Sequence, residues 1–255
     1  MKSRWMIGCV AVLCVSSLAT AQGKQPAALR ASTQVLVVTT QDWNGVDGML
    51  QVYERPSARK RWKAAGGPIS VVVGKKGLGW DAGVASDAGR RAAGGPIKIE
   101  GDGKSPAGIF RLSTVFGYAA QTPPGWKMPY LNLTSSVECV DDARSKFYNR
   151  VLDRASVAPD WTSSEQMLRP DGQYRWGMMV DHNADPVIAG AGSCIFLHIW
   201  LGPGVGTTGC TAMAQEQLEG LLGRIDPARN PLLVQLPRPQ YKKLRRRWKL
   251  PALPR

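Results

Sequence analysis

Short runs of β-branched and apolar residues, divided by Gly, Pro and Asn clusters, predict a mostly β chain. Residues 34–39 (QVLVVT), 49–54 (MLQVYE) and 69–73 (ISVVV) read as the first strands. A turn at 101–108 (GDGKSPAG) leads into 109–112 (IFRL), and 176–180, 193–201 and 231–236 supply later strands. Two segments carry a helical signal. Residues 163–168 predict a short helix, and 214–224 a longer one with Leu218, Leu221 and Leu222 on a single stripe. The Gly- and Ala-rich stretch 74–95 reads as loop. Strand runs punctuated in this way suit a meander or a sandwich.

The first residues follow a different pattern. Lys2 and Arg4 precede an apolar run over 5–18, and Ala19-Thr20-Ala21 gives a small-x-small cleavage site. That run falls short of the ~20 apolar residues of a membrane span, and no later stretch is apolar enough for one. The expected organisation is a signal peptide at 1–21, a linker at 22–32, a catalytic domain at 33–237 and a basic tail at 238–255. Export to the periplasm or cell envelope follows. Cleavage would leave 234 residues, within the range of one β domain.

Charge changes the picture mainly at the C-terminus. The net charge is +14, yet residues 238–255 hold eight Lys or Arg and no acid. Without the signal segment and the tail the body carries only +4. A tail of this kind is attracted to anionic envelope polymers or lipid headgroups, or is a solvated extension with no dedicated partner. An exported chain is not expected to meet nucleic acid.

Cysteine usage is more informative. Cys9 and Cys14 belong to the signal segment, which leaves Cys139, Cys194 and Cys210. An odd thiol in an oxidising compartment is intermolecular or reactive. A Cys139–Cys194 bridge would contribute about 4 kcal/mol in the chain-entropy treatment and leave Cys210 free.

The chemistry concentrates in residues 193–213, SCIFLHIWLGPGVGTTGCTAM. On a strand, Cys194, Phe196, His198 and Trp200 share one face, while Ile195, Leu197 and Ile199 share the other. The chain then turns through glycines and returns to Gly209-Cys210, which can bring a thiol beside the imidazole. A free thiol has a pKa of about 8.5 and is only a few per cent ionised at neutral pH. A neighbouring histidine can take its proton and later give it to a departing amine. Backbone N–H groups near Gly209 would supply an oxyanion hole. Zinc is the rival for a Cys and His set. Cys194 and His198, roughly 13 Å apart along a strand, cannot share one ion, and CxxC and HExxH spacings are absent. No metal and no cofactor is expected. A lone structural histidine is the bland alternative, and the residues alone leave the two nearly even.

This window resembles the catalytic motif of the L,D-transpeptidase (YkuD-type) family, through His198, the glycine-rich return and Thr208-Gly209-Cys210. GDGKSPAGIFRL resembles that family's Gly-x-x-x-Thr-Pro-x-Gly-x-Phe turn, and CVDDARSKFYN, VDHN and GSCIFLHIW resemble a divergent branch. The likeness runs over about residues 33–237. It implies a mostly β, β-sandwich-like fold with Cys210 and His198 in a groove, and peptidoglycan stem peptides as substrate. Cys210 would be the nucleophile and His198 its base. The N–H groups of Gly209 and Cys210, with Thr208, would form the oxyanion hole, and Trp200, Thr207, Asn183 and Tyr130 would line the groove. The sequence departs from the family in having Thr207-Thr208 before Gly-Cys, and Thr211-Ala212 where Ile-Arg is usual.

Transfer to an amine, forming cross-links with release of D-alanine, is the leading expectation. Hydrolysis of the same acyl-enzyme, by an L,D-carboxypeptidase or an amidase, is the close alternative, since the two differ only in the resolving nucleophile. A non-catalytic wall-binding module is the rival of another class. A papain-like protease is excluded by the order of His and Cys.

Overall fold

The computed structural model describes residues 25–82 and 94–254. The signal segment at 1–21 lies outside them. The structure is mostly β. Residues Gln34–Thr40 (β1) and Asp47–Glu54 (β2) pair antiparallel along their whole length. Beyond β2 come Lys63–Ala64 (β3), Ile69–Val72 (β4) and Leu78–Trp80 (β5). Ser105–Gly117 (β6) is the longest strand. Short strands follow at Tyr130–Asn132 (β7), Val137–Val140 (β8), Val151–Asp153 (β9) and Ser164–Gln166 (β10). Trp176–Val180 (β11), Phe196–Ile199 (β12), Thr211–Met213 (β13) and Leu232–Pro237 (β14) complete the set.

The main sheet runs β1-β14-β6-β11-β12-β13-β4-β2, and the β1–β2 pairing joins its ends. The expected sandwich-like arrangement is therefore a sheet closed on itself, which leaves few free edges. The small sheet β10-β8-β9 stands apart. Alternation of side chains along the strands produces two apolar clusters. The larger includes Val35, Val37, Leu50, Ile195, Leu197 and Leu233. The smaller gathers Phe116, Cys139, Met167, Tyr174, Cys194, Phe196 and Cys210 between the closed sheet and the small one.

Several expectations change. Within residues 163–168 no helix forms: Ser164–Gln166 is β10, because it pairs with β8 and the segment has no apolar stripe to bury. The strand expected over 193–201 is confined to β12, because Cys194 takes a positive φ of 55° and interrupts the extended run. The turn at 101–108 gives way to strand at Ser105, and the loop at 74–95 contains β5. The helix over 214–224 appears as Gln215–Leu222 (α2), with Leu218, Leu221 and Leu222 buried.

The ends of the domain also move outward. Within the supposed linker, Ala27–Ala31 (α1) buries Leu29. The basic tail is no extension: Arg238–Trp248 (α3) buries Tyr241, Leu244 and Trp248, and Lys242, Lys243, Arg245 and Arg246 face solvent. An i, i+3, i+7 stripe within the charges gave α3 an apolar face to dock. Tyr53 and Tyr241 donate to the carbonyls of Ala252 and Pro251, tying down the last residues. Replacing a buried Trp by Ala costs about 3–5 kcal/mol. Trp248→Ala is therefore expected to lower the denaturant midpoint strongly, whereas a solvated tail would leave it unchanged.

Candidate active site

Strands β12 and β13 run parallel, with Leu197 opposite Thr211 and His198 opposite Ala212. The same register sets Cys210 beside Phe196, whose N–H donates to the Cys210 sulfur at 3.3 Å. Paired residues in a sheet share a face, and residues two apart along a strand share it too. Cys210 and His198 therefore lie on one face, with Cα atoms roughly 8 Å apart by strand geometry. On the opposite edge of β12, Gly177 pairs with His198. Glycine is needed there: a Cβ would stand 2.2 Å from the Phe116 ring.

The loop before Cys210 is fixed by hydroxyls. Thr207 and Ser105 both donate to the Cys210 carbonyl, at 2.6 and 2.8 Å. Ser105 in turn accepts from the Gly74 N–H at 2.8 Å. Gly74 approaches so closely that a Cβ would meet the Gly103 carbonyl at 2.5 Å. The GDGKSPAG segment thus contributes a clamp on the loop before Cys210 rather than a plain turn. Thr207 bridges to Gly74, and the Lys75 N–H donates to its carbonyl.

A second set of contacts shapes the wall opposite. Cys139 and Cys194 are joined, with S–S 2.04 Å. Asn149 accepts from the Cys194 N–H and donates to the carbonyls of His182 and Asn183. The CVDDARSKFYN, VDHN and GSC segments therefore meet at one asparagine. The Cys210 thiol donates to the Cys194 carbonyl at 3.4 Å.

The protonation of the pair follows from burial. Cys210 is 5% exposed and His198 4%. Loss of solvation, then the nearby Glu165 carboxylate, push the thiol up to about 12, against the Phe196 N–H and the Tyr174 hydroxyl, which pull it down. Burial likewise drives the imidazole down to about 4, against its bond to Ile199. His198 Nδ1 lies 2.8 Å from the Ile199 carbonyl. That oxygen can only accept, so Nδ1 carries the proton and Nε2 keeps its lone pair. Among the described residues no hydrogen bond joins imidazole to thiol. The resting pair is neutral.

A cavity of about 400 Å³ opens over Cys210, lined also by Thr208, Gly209, Ile195 and Ser193. Three carboxylates, Glu100, Asp141 and Glu165, share it with Lys98, which pairs with Asp102 at 2.7 Å. Tyr174 was not foreseen from sequence. Its ring packs edge-on against His198 at 5.2 Å and Phe196 at 5.6 Å, and its hydroxyl donates to Glu165 at 2.7 Å.

The other expected groove residues stand elsewhere. Trp200, Asn183 and Tyr130 do not line this cavity, and neither does His198, which was expected in the groove with Cys210 but is enclosed by Tyr174 and its own strand. Asn183 clasps its own loop through Ile188 and Gly192. Tyr130 donates to the Ala119 carbonyl beside Trp176, and the Trp200 N–H donates to Met213. Thr207 positions the loop before Cys210 instead of lining the cavity. The Gly209 N–H donates to the Thr207 hydroxyl, so it is already committed. His182, the second of the two histidines, pairs with Asp81 at 2.7 Å and lies outside the cavity lining.

Among the described residues one thiol is free, buried just before β13, and an imidazole stands on the neighbouring strand β12 of a mostly β domain. The model of the YkuD L,D-transpeptidase catalytic domain matches residues 43–234. The chain belongs to this family, and membership implies a peptidoglycan substrate. No curated protein and no solved structure matches it.

The neutral pair has measurable consequences. An imidazole at about 4 when folded, against 6.5 ordinarily, favours the folded state fully above pH 6.5 and loses that contribution as pH falls through 4. Between pH 7 and pH 4.5 the wild type is expected to lose about 2–3 kcal/mol more stability than His198→Gln, measured by denaturant titration. Alkylation of Cys210 by iodoacetamide should keep rising above pH 9. A plateau below pH 7 would show a preformed thiolate instead.

Proposed function

We propose that the protein is a cysteine-dependent L,D-transpeptidase of the cell envelope, with Cys210 as nucleophile and His198 as base. The observation that carries this reading is the register of β12 and β13. It puts the Cys210 thiol, which lines the cavity, and the His198 imidazole, which is buried behind it, on one face of the sheet. An exported protein is in keeping with the Cys139–Cys194 disulfide, since such bonds persist in oxidising compartments.

In the proposed reaction the Cys210 sulfur attacks the carbonyl after the third residue of a stem peptide, and its proton passes to His198 Nε2. Negative charge develops on the carbonyl oxygen. With the Gly209 N–H committed to Thr207, the N–H groups of Cys210 and Thr208 are the proposed donors to it. Collapse breaks the peptide bond, and D-alanine leaves with the proton from His198. An amine of a neighbouring stem then attacks the thioester, gives its proton to His198, and the Cys210 thiol leaves with it. Cross-link and free enzyme result. Because the resting pair is neutral, proton transfer accompanies attack rather than preceding it.

Transfer is favoured over hydrolysis by the cavity wall. Asp141 Oδ1 is buried with no hydrogen-bond partner among the described residues, and Glu165 lies nearby, an environment that holds an ammonium group in place of water. Incubation with disaccharide-tetrapeptide, followed by mass spectrometry, tests the reading. A thioester on Cys210, release of D-alanine and cross-linked dimers are expected, all absent in Cys210→Ala. Loss of D-alanine without dimers would assign the hydrolase. For Asp141→Asn we expect thioester formation to persist while the ratio of dimer to hydrolysed product falls about tenfold, about 1.4 kcal/mol of acceptor binding. An unchanged ratio would remove Asp141 from acceptor recognition.

A further inference from the structure

The C-terminal helix α3 forms one wall of a cationic groove remote from Cys210. Its apolar face packs inward, so its exposed cations depend on what stands beside them. The neighbour is the loop joining β2 to β3, where Arg59, Lys60 and Arg61 are exposed. Between this loop and Arg245, Arg246 and Lys249 lies a groove of about 960 Å³. Eight of its lining residues are Lys or Arg and none is acidic. Among the described residues, none of these six side chains has an ion-pair partner. Like charges gathered on two facing walls repel one another, a cost that a bound anion relieves.

The floor of the groove points the same way. Arg55 is only 5% exposed, yet no carboxylate among the described residues pairs with it. Its guanidinium donates to the carbonyls of Leu29, Ser32 and Ala58, and it stacks on Trp62 with 4.1 Å to the ring centroid. These neutral acceptors fix the fork in place but leave its charge uncompensated. Five N–H donors against four bonds leave one over. Burying an arginine without a counter-charge is costly unless an anion completes the site. Gln25 adds a buried Nε2 with no partner among the described residues.

We propose that this groove binds a linear phosphate polymer, lying between the loop at 58–62 and α3. Arginine matches phosphate oxygens with paired donors, and repeating phosphates supply charge densely enough for both walls. The two-walled shape favours a chain over a bilayer. A flat membrane would touch only the rims, and α3 has no apolar face left to insert, since Tyr241, Leu244 and Trp248 are spent on the core. The site shares no lining residue with the cavity over Cys210. Its occupation does not depend on the reaction proposed there.

Binding of long-chain inorganic polyphosphate to the full chain, followed by calorimetry in moderate salt, tests this. Arg59→Glu with Arg61→Glu, and separately Arg245→Glu with Arg246→Glu, should each weaken binding at least about tenfold, or 1.4 kcal/mol. Lys242→Glu with Lys243→Glu makes the same charge change on α3 outside the groove, and should cost less than about threefold through screened long-range attraction. Unchanged thermal unfolding in the same variants keeps folding out of the comparison. Equal losses in all three pairs would reduce the groove to diffuse attraction and overturn the proposal. Binding to phosphatidylglycerol vesicles but not to polyphosphate would transfer the site to membranes, and polyglutamate binding as tightly would remove the phosphate assignment.

Discussion

The parallel pairing of β12 with β13 is the constraint on which the site rests. Parallel neighbours ordinarily need a crossover of a dozen or more residues, commonly a helix. Here the connection from Trp200 to Cys210 is an irregular loop, held by backbone bonds to Val73 and Lys75 and by the hydroxyls of Thr207 and Ser105. Were the loop to slip by one residue, Cys210 would pass to the opposite face, into the cluster of Ile195 and Leu197. The two hydroxyls on one carbonyl therefore do more than satisfy an acceptor. They fix which face the sulfur occupies.

That register also decides the electrostatics. The face shared by Cys210 and His198 is walled by Phe116, Tyr174 and Phe196, which pack edge to face on one another. Aromatic enclosure removes water, and removal of water disfavours both thiolate and imidazolium. The Glu165 carboxylate reinforces this for the thiol. Burial and orientation act together: the imidazole is neutral because it is enclosed, and its tautomer is set because Ile199 offers an acceptor. An imidazole so placed is oriented without being charged.

Much of this was legible in the residues, for identifiable reasons. The strands at 34–39, 49–54 and 176–180 announce themselves because β-branched and apolar side chains fill both faces of a buried strand. Leu218, Leu221 and Leu222 do the same for α2. That Cys210 and His198 would share one face was legible because a glycine-rich return precedes the one and aromatics flank the other. Tyr174 was not, since an aromatic beside a strand reads as core, and its tie to Glu165 joins residues nine apart across a loop. Ser105 looked like part of a turn because its partner, the Cys210 carbonyl, lies 105 residues away. β10 misled for a different reason: Ser-Ser-Glu-Gln has no strong preference, and pairing with β8 decided its shape. In α3, eleven residues with six cations hid a buried stripe of Tyr241, Leu244 and Trp248.

The same helix shows why composition alone misplaces charge. A run of cations predicts repulsion and disorder when no apolar stripe interrupts it. In α3 the stripe is present, and its burial against β14 and β1 outweighs the repulsion among the arginines. Docking then converts a diffuse positive segment into a wall with fixed positions, facing a second positive wall on the β2–β3 loop. Arg55 makes the arrangement specific, because its carbonyl partners on α1 and the loop hold both near α3. The stability of the closed sheet and the placement of the cationic groove thus rest on one set of contacts. Loosening Trp248 from the core would cost the fold its C-terminal support and the groove one of its two walls.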